Sequence, residues 1–191
     1  MFTGIIEATE KIISIQHFGR KKLISISKPA IDIEIGSSIA CDGICLTIVK
    51  LDNRTFTVEI MNETIQKTTA KNWSINKLLN LERALTITSR LNGHFVQGHI
   101  DRELRLISHL IIEGTSYLRF EFPFREKELI VPQGSIALNG VSLTYFSVAI
   151  IGHTLEHTNL NTIKPGEMVN VEFDIIGKYI IAQKDKIYEL E

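Results

Sequence analysis

The chain writes one pattern twice. Gly36-Ser37-Ser38-Ile39-Ala40-Cys41-Asp42-Gly43-Ile44-Cys45-Leu46-Thr47 reads against Gly134-Ser135-Ile136-Ala137-Leu138-Asn139-Gly140-Val141-Ser142-Leu143-Thr144, both containing S-I-A-x-[DN]-G-[IV]-x-L-T. Three more blocks keep the same order. Glu63-Thr64-Ile65-Gln66-Lys67-Thr68 matches His153-Thr154-Leu155-Glu156-His157-Thr158, and Leu79-Asn80-Leu81-Glu82 matches Val169-Asn170-Val171-Glu172. At the front, Phe2-Thr3-Gly4-Ile5-Ile6-Glu7 aligns with Val96-Gln97-Gly98-His99-Ile100-Asp101. Four blocks in one order mean duplication. An offset of roughly 90 to 97 residues makes each copy a domain, because solenoid repeats run about 20 to 50 residues.

Within each copy the apolar pattern has the period of a strand. Leu23-Ile24-Ser25-Ile26-Ser27, Phe56-Thr57-Val58-Glu59-Ile60 and Tyr117-Leu118-Arg119-Phe120-Glu121-Phe122 alternate apolar and polar residues, so one pleated face is buried. Asp42-Gly43 and Asn139-Gly140 predict two-residue hairpins, since both central residues of a type I′ turn need positive φ. Closely spaced strands with glycine turns imply an all-β fold of two small closed or nearly closed barrels, because closure removes exposed edges. The repeat places the first barrel at residues 1–92, the second at 93–178, and a short C-terminal helix at 179–191. Ile180, Gln183, Lys184 and Ile187 lie along one side of that helix, which is too short to stand alone. It either covers its own barrel or meets another subunit.

Composition narrows the function. A formal net charge of -1, from 21 basic and 22 acidic residues, provides no broad positive field, so nucleic acid and anionic membranes are poor partners. No apolar run approaches the roughly 18 residues of a membrane helix. The first residues lack the basic and apolar regions of a signal peptide, and Cys41 and Cys45 are too few for a disulfide framework. The expectation is a cytoplasmic protein with free thiols.

The candidate chemistry is sparse. Cys45 and Ser142 occupy equivalent positions, with Thr47 and Thr144 two residues on and so on the same strand faces. Such a pair beside a glycine turn suits a small-ligand site or ordinary strand packing. His94 and His99 flank the start of the second copy, as acid–base groups or as structural histidines. Asp174 stands where the first copy has Ala84, either a solvated strand end or a sign that the copies have divided roles. No Cys/His set has the spacing of a zinc site, and no glycine-rich nucleotide fingerprint is present.

These blocks, with Met1-Phe2-Thr3-Gly4-Ile5-Ile6-Glu7, Asn80-Leu81-Glu82-Arg83-Ala84-Leu85, Gly93-His94-Phe95-Val96-Gln97-Gly98-His99-Ile100-Asp101 and Asn170-Val171-Glu172-Phe173-Asp174-Ile175-Ile176-Gly177-Lys178-Tyr179, resemble the riboflavin synthase family over nearly the whole chain. The resemblance implies two tandem six-stranded Greek-key barrels, each holding one 6,7-dimethyl-8-ribityllumazine. It implies a homotrimer formed through the C-terminal helix, with the active site between the N-terminal barrel of one subunit and the C-terminal barrel of its neighbour. One lumazine gives a four-carbon unit to the other, yielding riboflavin and a ribitylamino-pyrimidinedione. No metal or redox cofactor is expected. A lumazine synthase shell is a further partner the family leaves open.

Carried over by position, the catalytic candidates are Cys45, His99, Ser142, Thr144 and Asp174, with His99 as acid–base and Ser142 and Thr144 positioning or activating a nucleophile. Cys45 would contact the acceptor side. Gly4, Ile5 and Ile6, and Gly98, His99 and Ile100, would grip the pteridine edges. Leu46, Thr47 and Leu143 complete the hairpin walls. Ile60, Met61, Asn62, Glu63 and Thr64, with Ile150, Ile151, Gly152, His153 and Thr154, would meet the ribityl chains. Gln133 stands where the family often has Lys, Gly152 where Pro is frequent, and Cys41 where a small polar residue is common. Antenna proteins that bind lumazine without turnover share this double barrel, typically with one working pocket. The functional groups kept in both copies here favour the enzyme.

Overall fold

A computed structural model describes residues 1–191 apart from 114, 122–127, 145–147, 151 and 189–191. The first copy contains β1 (Ala8–Phe18), β2 (Lys21–Ser27), β3 (Ser38–Cys41), β4 (Ile44–Leu51), β5 (Thr55–Met61), helix α1 (Asn62–Lys67), a 3-10 turn (Thr69–Asn72) and β6 (Leu78–Arg83). These strands form a closed antiparallel barrel in the order β1-β2-β5-β4-β3-β6. The second copy contains β7 (Arg102–Ile112), β8 (Thr115–Phe120), β9 (Ser135–Leu138), β10 (Val141–Thr144), β11 (Val148–Ile150), α2 (Gly152–Glu156), a 3-10 turn (Asn159–Thr162) and β12 (Met168–Phe173). Its sheet runs β10-β9-β12-β7-β8-β11, the same order of neighbours as the first. Among the described residues only the first sheet closes.

Alternation fills each interior. Ile24 and Ile26 on β2, Phe56, Val58 and Ile60 on β5, and Leu79 and Leu81 on β6 are all fully buried. The second core repeats this with Leu104, Leu106, Leu118, Leu138, Val169, Val171 and Phe173. Each such side chain contributes about 1.5–3 kcal/mol. The pairing of β1 with β2 slips between Ile12 and Ser14, and that of β7 with β8 slips between Leu106 and Ser108. A bulge at the same place in both copies bends each long strand around its barrel.

The helix α3 spans Ile175–Tyr188 and starts before the expected boundary at residue 179. The Asp174 carboxylate accepts from the Ile176 N–H at 3.0 Å and starts the helix as soon as β12 ends. Ile176, Tyr179 and Ile180 are more than half exposed, so this helix does not spend them on its own barrel.

The two copies meet turn to turn, through reciprocal contacts. Asp42 and Gly43 have φ of 47° and 78°, and Asn139 and Gly140 have 46° and 80°, the type I′ geometry expected. The glycines touch: a Cβ on Gly43 would sit 2.7 Å from the Gly140 nitrogen, and one on Gly140 would sit 2.8 Å from the Gly43 nitrogen. Around them Asn80 and Asn170 act as mirror-image ties. Asn80 donates to the Asn139 carbonyl at 3.0 Å and accepts from the Asn159 N–H at 2.7 Å, while Asn170 donates to the Asp42 carbonyl at 2.9 Å and accepts from the Thr69 N–H at 2.8 Å. Phe2, Val96, Ala40 and Ala137 pack beside this junction.

One asymmetry carries a consequence. Fully buried Asp42 accepts from the Asn80 N–H at 2.9 Å and from the Asn159 amide at 2.7 Å through one oxygen, and the other has no hydrogen-bond partner. Burial pushes this carboxyl up to about 6 from 3.8, opposed by Lys77 and by the Asn80 and Asn159 bonds. The folded protein therefore holds the Asp42 proton more tightly than the unfolded chain, so stability falls as pH rises from about 3.8 to about 6. Over that window the loss is about 3 kcal/mol. Asp42→Asn, which copies the residue the second barrel uses, keeps the satisfied acceptor and removes the titration. Its unfolding midpoint at pH 7.5 is expected to exceed that of the wild type, with the pH slope between 4 and 6 flattened.

Candidate functional site

Each barrel receives a segment from the other half of the chain. Residues 2–6 lie against the second barrel: the Ser142 N–H donates to the Gly4 carbonyl at 2.7 Å, and Ile6 packs on the second core. Residues 96–100 lie against the first barrel: the Cys45 N–H donates to the Gly98 carbonyl at 2.9 Å, and Ile100 packs on the first core. Approach is so close that only glycine serves. A Cβ on Gly4 would fall 2.6 Å from the Ser142 Cβ, and one on Gly98 would fall 2.5 Å from the Cys45 Cβ. Both glycines also have positive φ, 78° and 83°.

Two buried glutamates hold these segments from behind. On β6 of the first barrel, the Glu82 carboxylate accepts from the Thr3 N–H at 2.6 Å, the Thr3 hydroxyl at 2.7 Å and the Gly4 N–H at 3.0 Å. On β12 of the second barrel, Glu172 accepts from the N–H groups of Gln97, Gly98 and His99 at 2.7, 2.9 and 3.1 Å. Burial raises both carboxyl groups above the usual range, and the N–H bonds pull them back. Ser142 is thus covered by a segment fixed from the first barrel, and Cys45 by one fixed from the second.

The five catalytic candidates divide between these frames. Half-buried Cys45 and exposed Thr47 share a face of β4, and exposed His99 is carried to the same frame by Gly98. Ser142 and Thr144 share a face of β10 in the other frame. There His94, which the sequence singles out only as a flanking histidine, places its Nδ1 2.7 Å from the Ser142 Oγ. His94 is buried, with its Nε2 unpartnered. Desolvation depresses its pKa and the Asp174 charge works the other way, so the imidazole is neutral near pH 7 and fit to accept the Ser142 proton. Asp174 therefore both caps α3 and faces His94 electrostatically. The two thiols differ sharply. Cys41 points into the barrel, and burial pushes it well above the ordinary thiol value, so it is inert, whereas Cys45 is accessible.

The expected binding residues are sorted by strand alternation. Gly4 and Gly98 are buried in the frames, with Ile5 exposed and Ile6 and Ile100 half-buried beside them. Leu46, Ile60 and Ile150 turn inward and are core residues, so a ligand outside the barrel meets only their backbone. Met61, Asn62 and Glu63 are exposed and Thr64 half-buried at the end of β5; Gly152, His153 and Thr154 repeat this arrangement at the end of β11, and Leu143 is half-buried. Ile151 lies outside the described residues. Gln133 is exposed, with a φ of 64°, just before β9. Glu82 and Glu172 are absent from the sequence-derived set. Their signal was a charged residue at the end of an apolar strand block, present in both copies.

The Lumazine binding domain family matches residues 3–84 and again 97–174. The chain belongs to the Lumazine binding domain family. Riboflavin synthase of Actinobacillus pleuropneumoniae and that of Bacillus subtilis are each 36% identical to this chain over 189 residues, covering 94% of this chain and 88% of theirs. The double barrel also resembles crystal structures of LumP. The complex with riboflavin has a TM-score of 0.80 at 24% identity, covering 91% of this chain and 99% of that one, and the complex with flavin mononucleotide has 0.75 at 25% over the same shares.

If the glutamates hold the frames, Glu172→Gln loses charge-assisted bonds worth about 1.5–3 kcal/mol each. Amide hydrogen exchange at Gln97, Gly98 and His99 is expected to speed at least tenfold, with strands of the first core unchanged. Equal exchange in wild type and variant would contradict the grip.

Proposed function

We propose that this chain is a transferase that makes riboflavin from two molecules of 6,7-dimethyl-8-ribityllumazine. The observation that carries the reading is a pair of equivalent crossing contacts with unlike side chains: Cys45 against Gly98, next to His99, in one, and Ser142 against Gly4 and His94 in the other. A reaction between two identical molecules with opposite roles calls for such an arrangement, alike in what binds and unlike in what reacts.

The atoms balance without an outside reagent. Two lumazines contain the atoms of riboflavin plus 5-amino-6-(ribitylamino)uracil, one ring acting as electron donor and the other as acceptor of the four-carbon unit. The 7-methyl protons of a lumazine are acidic because the carbanion is delocalised into the pteridine. The chain must move protons and hold two rings face to face, and positioning alone can supply roughly 7–11 kcal/mol. Ser142, deprotonated in part by His94, positions or activates the nucleophile that adds to one lumazine. His99 takes or returns protons at the other, with Cys45 against the acceptor ring. Asp174 biases His94, and Thr144 orients the neighbouring hydroxyl. The residues at the ends of β5 and β11, from Met61 to Thr64 and from Gly152 to Thr154, meet the ribityl hydroxyls, and the backbone of residues 4–6 and 98–100 meets the pteridine edges.

The exposed Ile176, Tyr179 and Ile180 of α3 support assembly of three chains through this helix, which brings the first barrel of one subunit to the second barrel of another. Free Cys41 and Cys45 suit a cytoplasmic setting.

The first test is to mix the purified protein with 6,7-dimethyl-8-ribityllumazine in buffer with a chelator. Riboflavin at half the molar amount of lumazine consumed is expected. Tight binding with no riboflavin would instead assign an antenna-like role. His99→Ala is expected to lower kcat by about 10²–10⁴ with a small change in affinity. Collapsed affinity with unchanged kcat would remove the proton-transfer role. Because burial depresses His94, turnover is expected to persist below the ordinary histidine pKa and then fall as pH drops and the imidazole is protonated. His94→Gln would abolish that acid limb.

A further inference from the structure

The first barrel carries a basic cluster at one rim. A cleft of about 260 Å³ opens where the β1–β2 hairpin meets α1, lined by Arg20, Lys21, Lys22, Asn62, Gln66 and Lys71 among others. Among the described residues, no carboxylate lines it. Lys21 is paired with Glu59 at 3.0 Å, and Lys71 with Glu103. Arg20 and Lys22 have no acidic partner among the described residues. Lys22 is half-buried and lies on the face of β2 that carries the fully buried Ile24 and Ile26, opposite Ile60, so its charge stands at the mouth of the barrel interior. Two uncompensated cations and two side-chain amides converge on one small space, a donor set suited to a doubly charged oxyanion.

The fold does not require this charge. At the equivalent places the second copy has Thr115 for Lys21, Ser116 for Lys22, Gly152 for Asn62, Glu156 for Gln66 and Asn161 for Lys71, with exposed Ile111 where the first copy has His17. One barrel is basic at this rim and its duplicate is not. Asn62 belongs both to the cleft and to the segment read above as meeting the ribityl chain, so a group on the far end of that chain is directed to the cleft.

We propose that this cleft is an anion site for a phosphomonoester, placed to take the terminal phosphate of a ribityl 5′-phosphate whose ring sits in the Cys45 pocket. The placement of the ring rests on the function proposed above; the anion site does not. The first barrel then distinguishes a phosphorylated flavin from riboflavin, and the second does not.

Two measurements on the full chain test this separately. Inorganic phosphate is titrated into isotopically labelled protein at low ionic strength while amide resonances are followed. Shifts at Gly19, Lys22, Asn62 and Gln66 that vanish in the Arg20→Ala/Lys22→Ala variant are expected, and their absence overturns the anion site. In the second arm, riboflavin and flavin mononucleotide, which differ by one phosphate, are compared by flavin fluorescence. Flavin mononucleotide is expected to bind about tenfold more tightly to the wild type, an advantage that shrinks with salt and disappears in the double variant. Riboflavin affinity and riboflavin formation are expected to be unchanged by that variant. Phosphate shifts with equal flavin affinities would overturn the ribityl-phosphate assignment and leave a site for free phosphate. Phosphate shifts with neither flavin bound would keep the anion site and remove the reading of the Cys45 pocket.

Discussion

Two buried carboxylates, Glu82 and Glu172, organise the functional half of this molecule. Each stands at the end of a strand in one barrel and collects donors, mostly backbone N–H groups, from the segment that covers a pocket on the other. A carboxylate loses several kcal/mol of hydration on burial unless donors replace the water. Here the donors come from residues 3–4 and 97–99, so the cost of burial is offset only when the segment is seated. Seating brings Gly4 and Gly98 so close to Ser142 and Cys45 that no side chain fits between. Each barrel is therefore covered in part by a segment from the other half of the chain, and the polar junction of Asp42, Asn80, Asn139, Asn159 and Asn170 ties the two together.

The near-symmetry is what makes the differences informative. Equivalent frames surround a thiol in one barrel and a hydroxyl in the other. A buried imidazole, His94, stands against the hydroxyl, its Nδ1 2.7 Å from the Ser142 Oγ. The same unevenness appears at the junction, where Asp42 opposes Asn139, and at the rim, where lysines oppose Ser116 and Thr115. The two copies share a frame and differ in the side chains it surrounds.

Much of this is legible in the sequence. The repeat sets the copy number and domain order, strand alternation separates core from surface, and Asp42-Gly43 and Asn139-Gly140 form the hairpins they encode. Cys45 and Ser142 are recognisable because they break the apolar pattern at equivalent places. What the pattern cannot state is which half each segment serves. Nothing local indicates that residues 2–6 cover the second barrel, because the contact is made between positions some 140 residues apart, such as Gly4 and Ser142. For the same reason His94 reads as an ordinary flanking residue until the fold brings Ser142 to it, and Asp174 reads as a strand end although it starts a helix. Period-two burial likewise turns the side chains of Ile60 and Ile150 into the cores, which the repeat alone does not show.

The most direct measurement is the stoichiometry and location of an unreactive ribityllumazine lacking the 7-methyl group, bound to the intact protein and read by calorimetry and crystallography. Two molecules per chain are expected, one beneath residues 98–100 at Cys45 and one beneath residues 4–6 at Ser142. A single bound molecule per chain, or two that touch neither crossing segment, would contradict the exchange of pocket walls between the barrels.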